Sequence, residues 1–74
     1  MTAKNAGAGL WRVIHMAPGQ AAGKAKAILE SEGMLVRLTP VYKGAYGEND
    51  LFRIMVLQSE SLEARNLLIE RALL

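Results

Sequence analysis

Hydrophobic and polar positions alternate in three short runs of the chain and recur with helical spacing in two longer runs. Residues 10–16 are rich in β-branched and aromatic side chains, which predicts a first strand. Residues 34–41 and 51–57 alternate in the same way and predict a second and a third strand. Residues 20–32 and 60–73 contain good helix formers with apolar side chains on one side, which predicts two amphipathic helices.

Local signals mark the ends of these elements. Pro18 suits the first turn of a helix because its missing N–H would be unpaired there, and Gly33 supplies the left-handed residue that ends a helix. Ser59 predicts the N-cap of the second helix. Pro40 places the second strand at a sheet edge, since proline cannot donate to an inner ladder. Residues 42–50 contain glycines and an Asn-Asp pair, which predicts a mobile loop.

The order strand, helix, strand, strand, helix predicts an α+β fold, a half ferredoxin-like βαββα sandwich. A right-handed crossover makes the first two strands parallel, and a hairpin joins the second to the third. Insertion of the third strand between the other two gives the sheet order 1-3-2 with both helices on one face. We expect residues 1–9 to form a flexible N-terminal tail and residues 10–74 to form one domain.

Composition narrows the chemistry that this domain can support. The 74 residues include no cysteine and one histidine, which excludes a disulfide framework, a thiolate zinc site and a histidine-rich metal site. A net charge of +2 is too small to indicate nucleic-acid binding. No apolar run approaches the roughly 18 residues of a membrane span, and residues 1–9 lack the apolar stretch of a signal peptide. We therefore predict a cytoplasmic protein with no metal and no membrane partner.

Three segments together resemble a known family. These are the strand Trp-Arg-Val-Ile-His-Met-Ala-Pro at 11–18, the end of the Ala-rich helix at 29–33, Leu-Glu-Ser-Glu-Gly, and the following Met-Leu-Val at 34–36. They look like short bacterial proteins of unknown function, of the signal-transducing, PII-like or ferredoxin-like type, some of which carry the name glutamate decarboxylase. The resemblance covers residues 11–73. It implies the same fold, no established activity and no functional residues to carry over.

A decarboxylase is not expected on chemical grounds. Such an enzyme needs a lysine that forms a Schiff base with pyridoxal phosphate, together with groups that hold the ring and the phosphate. The lysines lie on the predicted tail (Lys4), the outside of the first helix (Lys24 and Lys26) and the loop (Lys43). A single small layer cannot enclose a cofactor of that size. We predict a protein without catalytic residues and without a cofactor.

Period-two alternation assigns the side chains to the two faces of the sheet. The residues predicted to face the helices are Trp11, Val13, Val36, Leu38, Phe52, Ile54 and Val56. Those predicted on the open face are Arg12, Ile14, Met16, Leu35, Arg37, Thr39, Arg53, Met55 and Leu57. So many aliphatic side chains on this face favour a subunit interface, and a binding platform for an anion or RNA and a solvated face stay open as alternatives. No aromatic residue falls on this predicted face, which argues against RNA.

The candidate binding residues carry positive charge or can acquire it. Arg12, Arg37 and Arg53 could bind a small anionic ligand on the open face. His15 ends the first strand beside the start of the first helix, where ligands often bind in α/β units. The alternative interpretation of His15 is a half-buried side chain that completes the strand.

A homodimer is the predicted assembly, because a domain this small cannot comfortably bury its 51% apolar residues. Two geometries are open, one through the edge of the first strand and one through the open face. The candidate interface residues are Ile14, Met16, Leu35, Met55, Leu57, Leu73 and Leu74. The predicted function is a non-enzymatic dimeric interaction or sensory module, with a binder of a small anionic ligand as the alternative.

Overall fold

The computed structural model describes residues 10–42 and 49–74. The predicted tail at 1–9 and most of the predicted mobile loop therefore lie outside the described residues. The elements in chain order are β1 (Trp11–Pro18), α1 (Gly19–Ser31), β2 (Val36–Pro40), β3 (Leu51–Leu57), a 3-10 turn (Gln58–Glu60) and α2 (Ser61–Glu70).

The described strands form one sheet with the order β1-β3-β2. The central strand β3 runs antiparallel to both of its neighbours. Helix α1 contacts all three strands, and α2 contacts β1, β3 and α1, which places both helices on the same side of the sheet. The predicted α+β fold with sheet order 1-3-2 and two helices on one face is confirmed.

The core lies between β3 and the two helices. Ile54 and Val56 of β3, Leu29 of α1 and Leu68 of α2 are almost completely buried. Burying each such side chain contributes about 1.5–3 kcal/mol to folding. Partly buried side chains pack around this centre, namely Ala21, Val36, Leu38, Phe52, Leu67 and Leu73. The predicted inward face of β2 and β3 is therefore correct.

The predicted faces of β1 are wrong in the first half of the strand, because β1 contains a β-bulge. The pairing with β3 shifts between Val13 and His15, so that Ile14 has no partner on β3. One extra residue reverses the phase of the alternation. Ile14 is consequently in the core with 6% exposure, whereas Val13 is 42% exposed. Trp11 pairs with Leu57 and so lies on the open face, contrary to the prediction.

The end of α1 confirms the role predicted for Gly33. This residue has a φ of 87°, and its N–H donates to the Glu30 carbonyl oxygen at 2.9 Å. The Met34 N–H donates to the Leu29 carbonyl oxygen at 3.1 Å. These two bonds form a Schellman motif, which turns Met34 back into the core.

Helix α2 begins and ends differently from the prediction. Its first turn follows a 3-10 turn that includes Ser59, and the hydroxyl of Ser61 donates to the Gln58 carbonyl oxygen at 2.9 Å. Ser59 is therefore not the N-cap. The helix ends with Ala72 at a φ of 61°, and the N–H of Leu73 then reaches back to the last turn. An alanine in this left-handed region costs about 1–2 kcal/mol, which the packing of Leu73 against the core helps to offset.

Candidate binding face

The open face is the side of the sheet that lies away from the helices. Because Ile54 and Val56 point toward the helices, the alternate residues of β3 point away from them. Directly paired residues on neighbouring strands share a face, so the pairing extends this assignment to β1 and β2. The residues of the open face are Trp11, Val13, Met16, Pro18, Arg37, Thr39, Leu51, Arg53, Met55 and Leu57.

Toward one end of the open face, Trp11 contacts Arg37. The guanidinium carbon of Arg37 lies 4.7 Å from the centroid of the indole ring. Trp11 belongs to β1 and Arg37 to β2, so the two side chains meet across the central strand. A cation–π contact at an exposed site contributes about 0.5–1 kcal/mol. The contact therefore favours this arrangement of the two side chains on the sheet surface, although its contribution to the free energy is small.

Arg53 adds a second guanidinium group to the same face. It belongs to β3 and is a diagonal neighbour of Arg37, which pairs with Met55 two residues further along the strand. Its Nη1 donates to the Pro40 carbonyl oxygen at 2.9 Å, which fixes the direction of the side chain. A guanidinium group has five N–H donors, so further donors remain for a ligand.

The open face carries charge of one sign. Among the described strands, its charged residues are Arg37 and Arg53, and no acidic residue shares the face. Apolar side chains surround the charge, with Val13 42% and Met16 52% exposed. The hydroxyl of Thr39 donates to the sulfur of Met55 at 3.7 Å. This combination of cations, an aromatic ring and aliphatic surface favours an anionic partner that also has apolar parts.

The predicted anion-binding residues separate into two pairs. Arg37 and Arg53 lie together on the open face, as predicted. Arg12 pairs with Val56 and His15 pairs with Ile54, so both belong to the helix side of β1. The placement of Arg12 on the open face was wrong, because Arg12 precedes the bulge. The structure therefore does not bring all four candidates into one site.

The predicted interface residues also separate. Ile14 is buried beneath the helices, so the prediction that it contacts a partner is wrong, whereas Leu73 packs against the core and is only partly buried. Met16, Met55 and Leu57 lie on the open face. Two further candidates are exposed outside the strands, with Leu35 at 60% and Leu74 at 37%.

The edge of β1, one of the two contact surfaces predicted for a homodimer, is partly protected. The bulge at Ile14 interrupts the strand, and Nη1 of Arg65 on α2 donates to the Ile14 carbonyl oxygen at 3.2 Å. Bulges and charged side chains are devices that prevent edge-to-edge pairing of strands. A homodimer that pairs the β1 edges of two copies would have to accommodate both the bulge and the side chain of Arg65. The homodimer stays a prediction.

Trp11 is the site residue that the alternation pattern missed. Val13 and Ile14 are adjacent β-branched residues, and such a pair leaves the phase of the alternation open. Ile14 and Ala17 are both buried although three positions apart, an odd spacing that a regular strand cannot place on one face. The adjacent β-branched pair is the signal in the sequence, and the burial of Ile14 and Ala17 shows which phase the folded strand takes.

No family model, curated protein or solved structure matches the chain. The family resemblance of the strand and helix segments thus stays a prediction. Neither helix in the described part of the chain has the length and apolar character needed to cross a membrane. Among residues 10–42 and 49–74, no three His, Asp or Glu side chains form a group that could hold a metal ion.

Proposed function

We propose that this chain is a non-enzymatic binding module whose open face binds an anionic partner. The observation that carries the proposal is the Trp11–Arg37 contact beside Arg53, on a sheet face that the helices leave uncovered. Two guanidinium groups with no acidic residue beside them on the described strands provide charge-assisted donors for phosphate or carboxylate groups. The exposed Val13 and Met16 add apolar surface next to that charge.

The side chains of the open face support binding rather than catalysis. Arginine supplies positive charge but no nucleophile and no general base. The hydroxyl of Thr39 is directed to the sulfur of Met55, and no adjacent base on the described strands of this face could activate it. The face therefore offers orientation and charge to a ligand without the groups that break a bond.

A second copy of the chain is the alternative occupant of the open face, and the exposed Val13 and Met16 favour it. A two-fold axis through the face would bring Arg37 and Arg53 toward the same residues of the partner copy. Juxtaposed like charges oppose association. An anionic partner removes this repulsion, which is why it is the preferred occupant.

The proposal is tested by titrating the protein with inorganic tripolyphosphate at low ionic strength and following the fluorescence of Trp11, the single tryptophan of the chain. We expect saturable binding that Arg37→Gln or Arg53→Gln weakens about tenfold, since a charged hydrogen bond contributes about 1.5 kcal/mol or more. Arg12→Gln is the matched control, because it removes the same charge from the helix side of the sheet.

Two results would contradict the proposal. One is a failure of the titration, either because tripolyphosphate does not bind or because Arg12→Gln and Arg37→Gln lose the same affinity for it. The other is a dimer in sedimentation experiments that Met16→Lys dissociates, because the open face would then be covered by a second copy. Met16 suits this test since it is 52% exposed, whereas a lysine at the buried Ile14 would unfold the domain.

A further inference from the structure

The bulge in β1 changes which partners the open face can accept. A regular strand would turn Trp11 under the helices and leave the face without an aromatic ring. The observed register places Trp11 on the open face, opposite Leu57 and in contact with Arg37. The face thus combines a planar ring, a planar guanidinium group and a second cation from Arg53. Planar groups and cations together are the elements that recognise unpaired nucleotides.

We infer that the anionic partner is single-stranded nucleic acid, with a base stacked on the Trp11–Arg37 pair and a neighbouring phosphate bound by Arg53. This inference rests on the proposed function, because it identifies the anion that the open face binds. An aromatic ring or a guanidinium plane on a sheet surface offers the stacking that an extruded base requires. The contact between Arg53 and a phosphate makes the affinity depend on salt concentration, because binding releases a counterion.

The dimensions of the open face suit a short segment of a strand. Trp11 and Arg37 belong to the two outer strands, which lie about 10 Å apart because β3 separates them. Arg53 is offset from Met55, the partner of Arg37, by two residues, or about 7 Å along β3. Four-stranded sheets with several aromatic side chains stack two or three bases, so this three-stranded face with the single ring of Trp11 suits one stacked base and a neighbouring phosphate.

An acidic peptide and a nucleic-acid duplex fit the face less well. Carboxylates would pair with Arg37 and Arg53 but would offer no aromatic base to stack on the Trp11–Arg37 pair. A duplex keeps the faces of its bases inside the helical stack, so it could use the charge but not the ring. A single strand uses both the ring and the cations.

The experiment compares three probes of negative charge by fluorescence anisotropy and by the quenching of Trp11. The probes are a short oligothymidylate, an abasic oligomer of the same length and charge, and an oligoglutamate peptide. We expect the oligothymidylate to bind roughly 5- to 150-fold more tightly than the abasic oligomer, the gain of one stacked base. It should also quench Trp11.

Four variants assign the differences in affinity and in salt dependence to individual residues. Trp11→Leu should lower the affinity for the oligothymidylate toward that of the abasic oligomer, whereas Trp11→Phe should retain most of the gain because phenylalanine also stacks. Arg53→Gln should reduce the slope of log affinity against log salt concentration by about 0.7, the value for one phosphate of a single strand. Arg12→Gln should leave both quantities unchanged. Circular dichroism confirms that each variant is folded.

The outcomes separate this inference from the proposed function. Equal affinity for the oligothymidylate and the abasic oligomer would overturn the nucleic-acid inference and leave the anionic binding face intact. Tighter binding of the oligoglutamate peptide would do the same and would identify an acidic protein partner. Failure of all three probes and of tripolyphosphate to bind would overturn both the inference and the proposed function.

Discussion

The strands β1 and β3 have similar lengths and similar apolar content, yet only β3 alternates regularly from end to end. In β3, Ile54 and Val56 are buried and the residues between them face away from the helices. In β1, the two most buried side chains are Ile14 and Ala17, three positions apart, because the bulge shifts the register. The central strand follows the period of its sequence and the edge strand does not.

The difference follows from the number of hydrogen-bonded neighbours. A central strand is fixed on both sides, so an extra residue would disrupt two ladders at once. An edge strand has one partner, and bulges are concentrated there for that reason. In this protein the bulge both places Trp11 on the open face and helps to protect the edge of β1. The bulge in β1 therefore decides whether the open face carries an aromatic ring.

The largest expected effect is at the buried face of β3. Ile54→Ala should lower the free energy of unfolding by about 2–5 kcal/mol, because the side chain is 1% exposed and its removal leaves a cavity. Met55→Ala, the neighbouring residue on the open face, should cost much less. Urea denaturation of both variants measures the contrast. Similar losses would show that the two faces of β3 are not as different as their burial indicates.

A somewhat smaller effect tests the phase of β1. Ile14→Ala should destabilise the domain by about 2–4 kcal/mol, toward the lower end for a core isoleucine because an edge strand can partly close the cavity. Val13→Ala should cost about 1 kcal/mol or less, since Val13 is 42% exposed and loses mainly strand propensity. Urea denaturation of the two variants measures which substitution lowers the free energy of unfolding more. The reverse order would mean that β1 has no bulge at this position.

The contact between α2 and the bulge should contribute less. Arg65→Met removes the donor to the Ile14 carbonyl oxygen and should cost about 0.5–1.5 kcal/mol. Amide hydrogen exchange should accelerate in β1 and remain slow in the middle of β3. Arg71→Met removes the same charge from the end of the same helix and serves as the control. Equal acceleration of exchange in β1 in both variants would exclude a specific role for Arg65.

The smallest effect on stability concerns the contact that joins β1 to β2 across β3. Arg37→Gln keeps much of the side-chain length and removes the charge, which should cost at most about 1 kcal/mol. The emission of Trp11 should change, because the guanidinium group no longer covers the ring. Arg53→Gln should leave that emission nearly unaltered. An unchanged spectrum in Arg37→Gln would show that the contact is not populated in solution.

Several parts of the fold could be predicted because they depend on neighbours in sequence. The strand at 51–57 was predicted with its observed bounds, and its apolar residues at even positions identified the core. Gly33 marked the end of α1, since only a residue free to adopt positive φ fits the Schellman motif without strain. Ala72 also has a positive φ at the end of α2, and the sequence did not predict it because alanine does not favour that conformation.

The sequence by itself determined the element order, the sheet order and the buried face of β2 and β3, because periodicity and turn residues act over a few positions. Only the tertiary structure decided the face on which Trp11 lies. The bulge depends on how β1 pairs with β3 and on how its apolar side chains pack beneath the helices. The strand pairing joins residues that are far apart in the sequence, from Pro18 with Leu51 to Trp11 with Leu57. The chemistry of the open face follows from that packing.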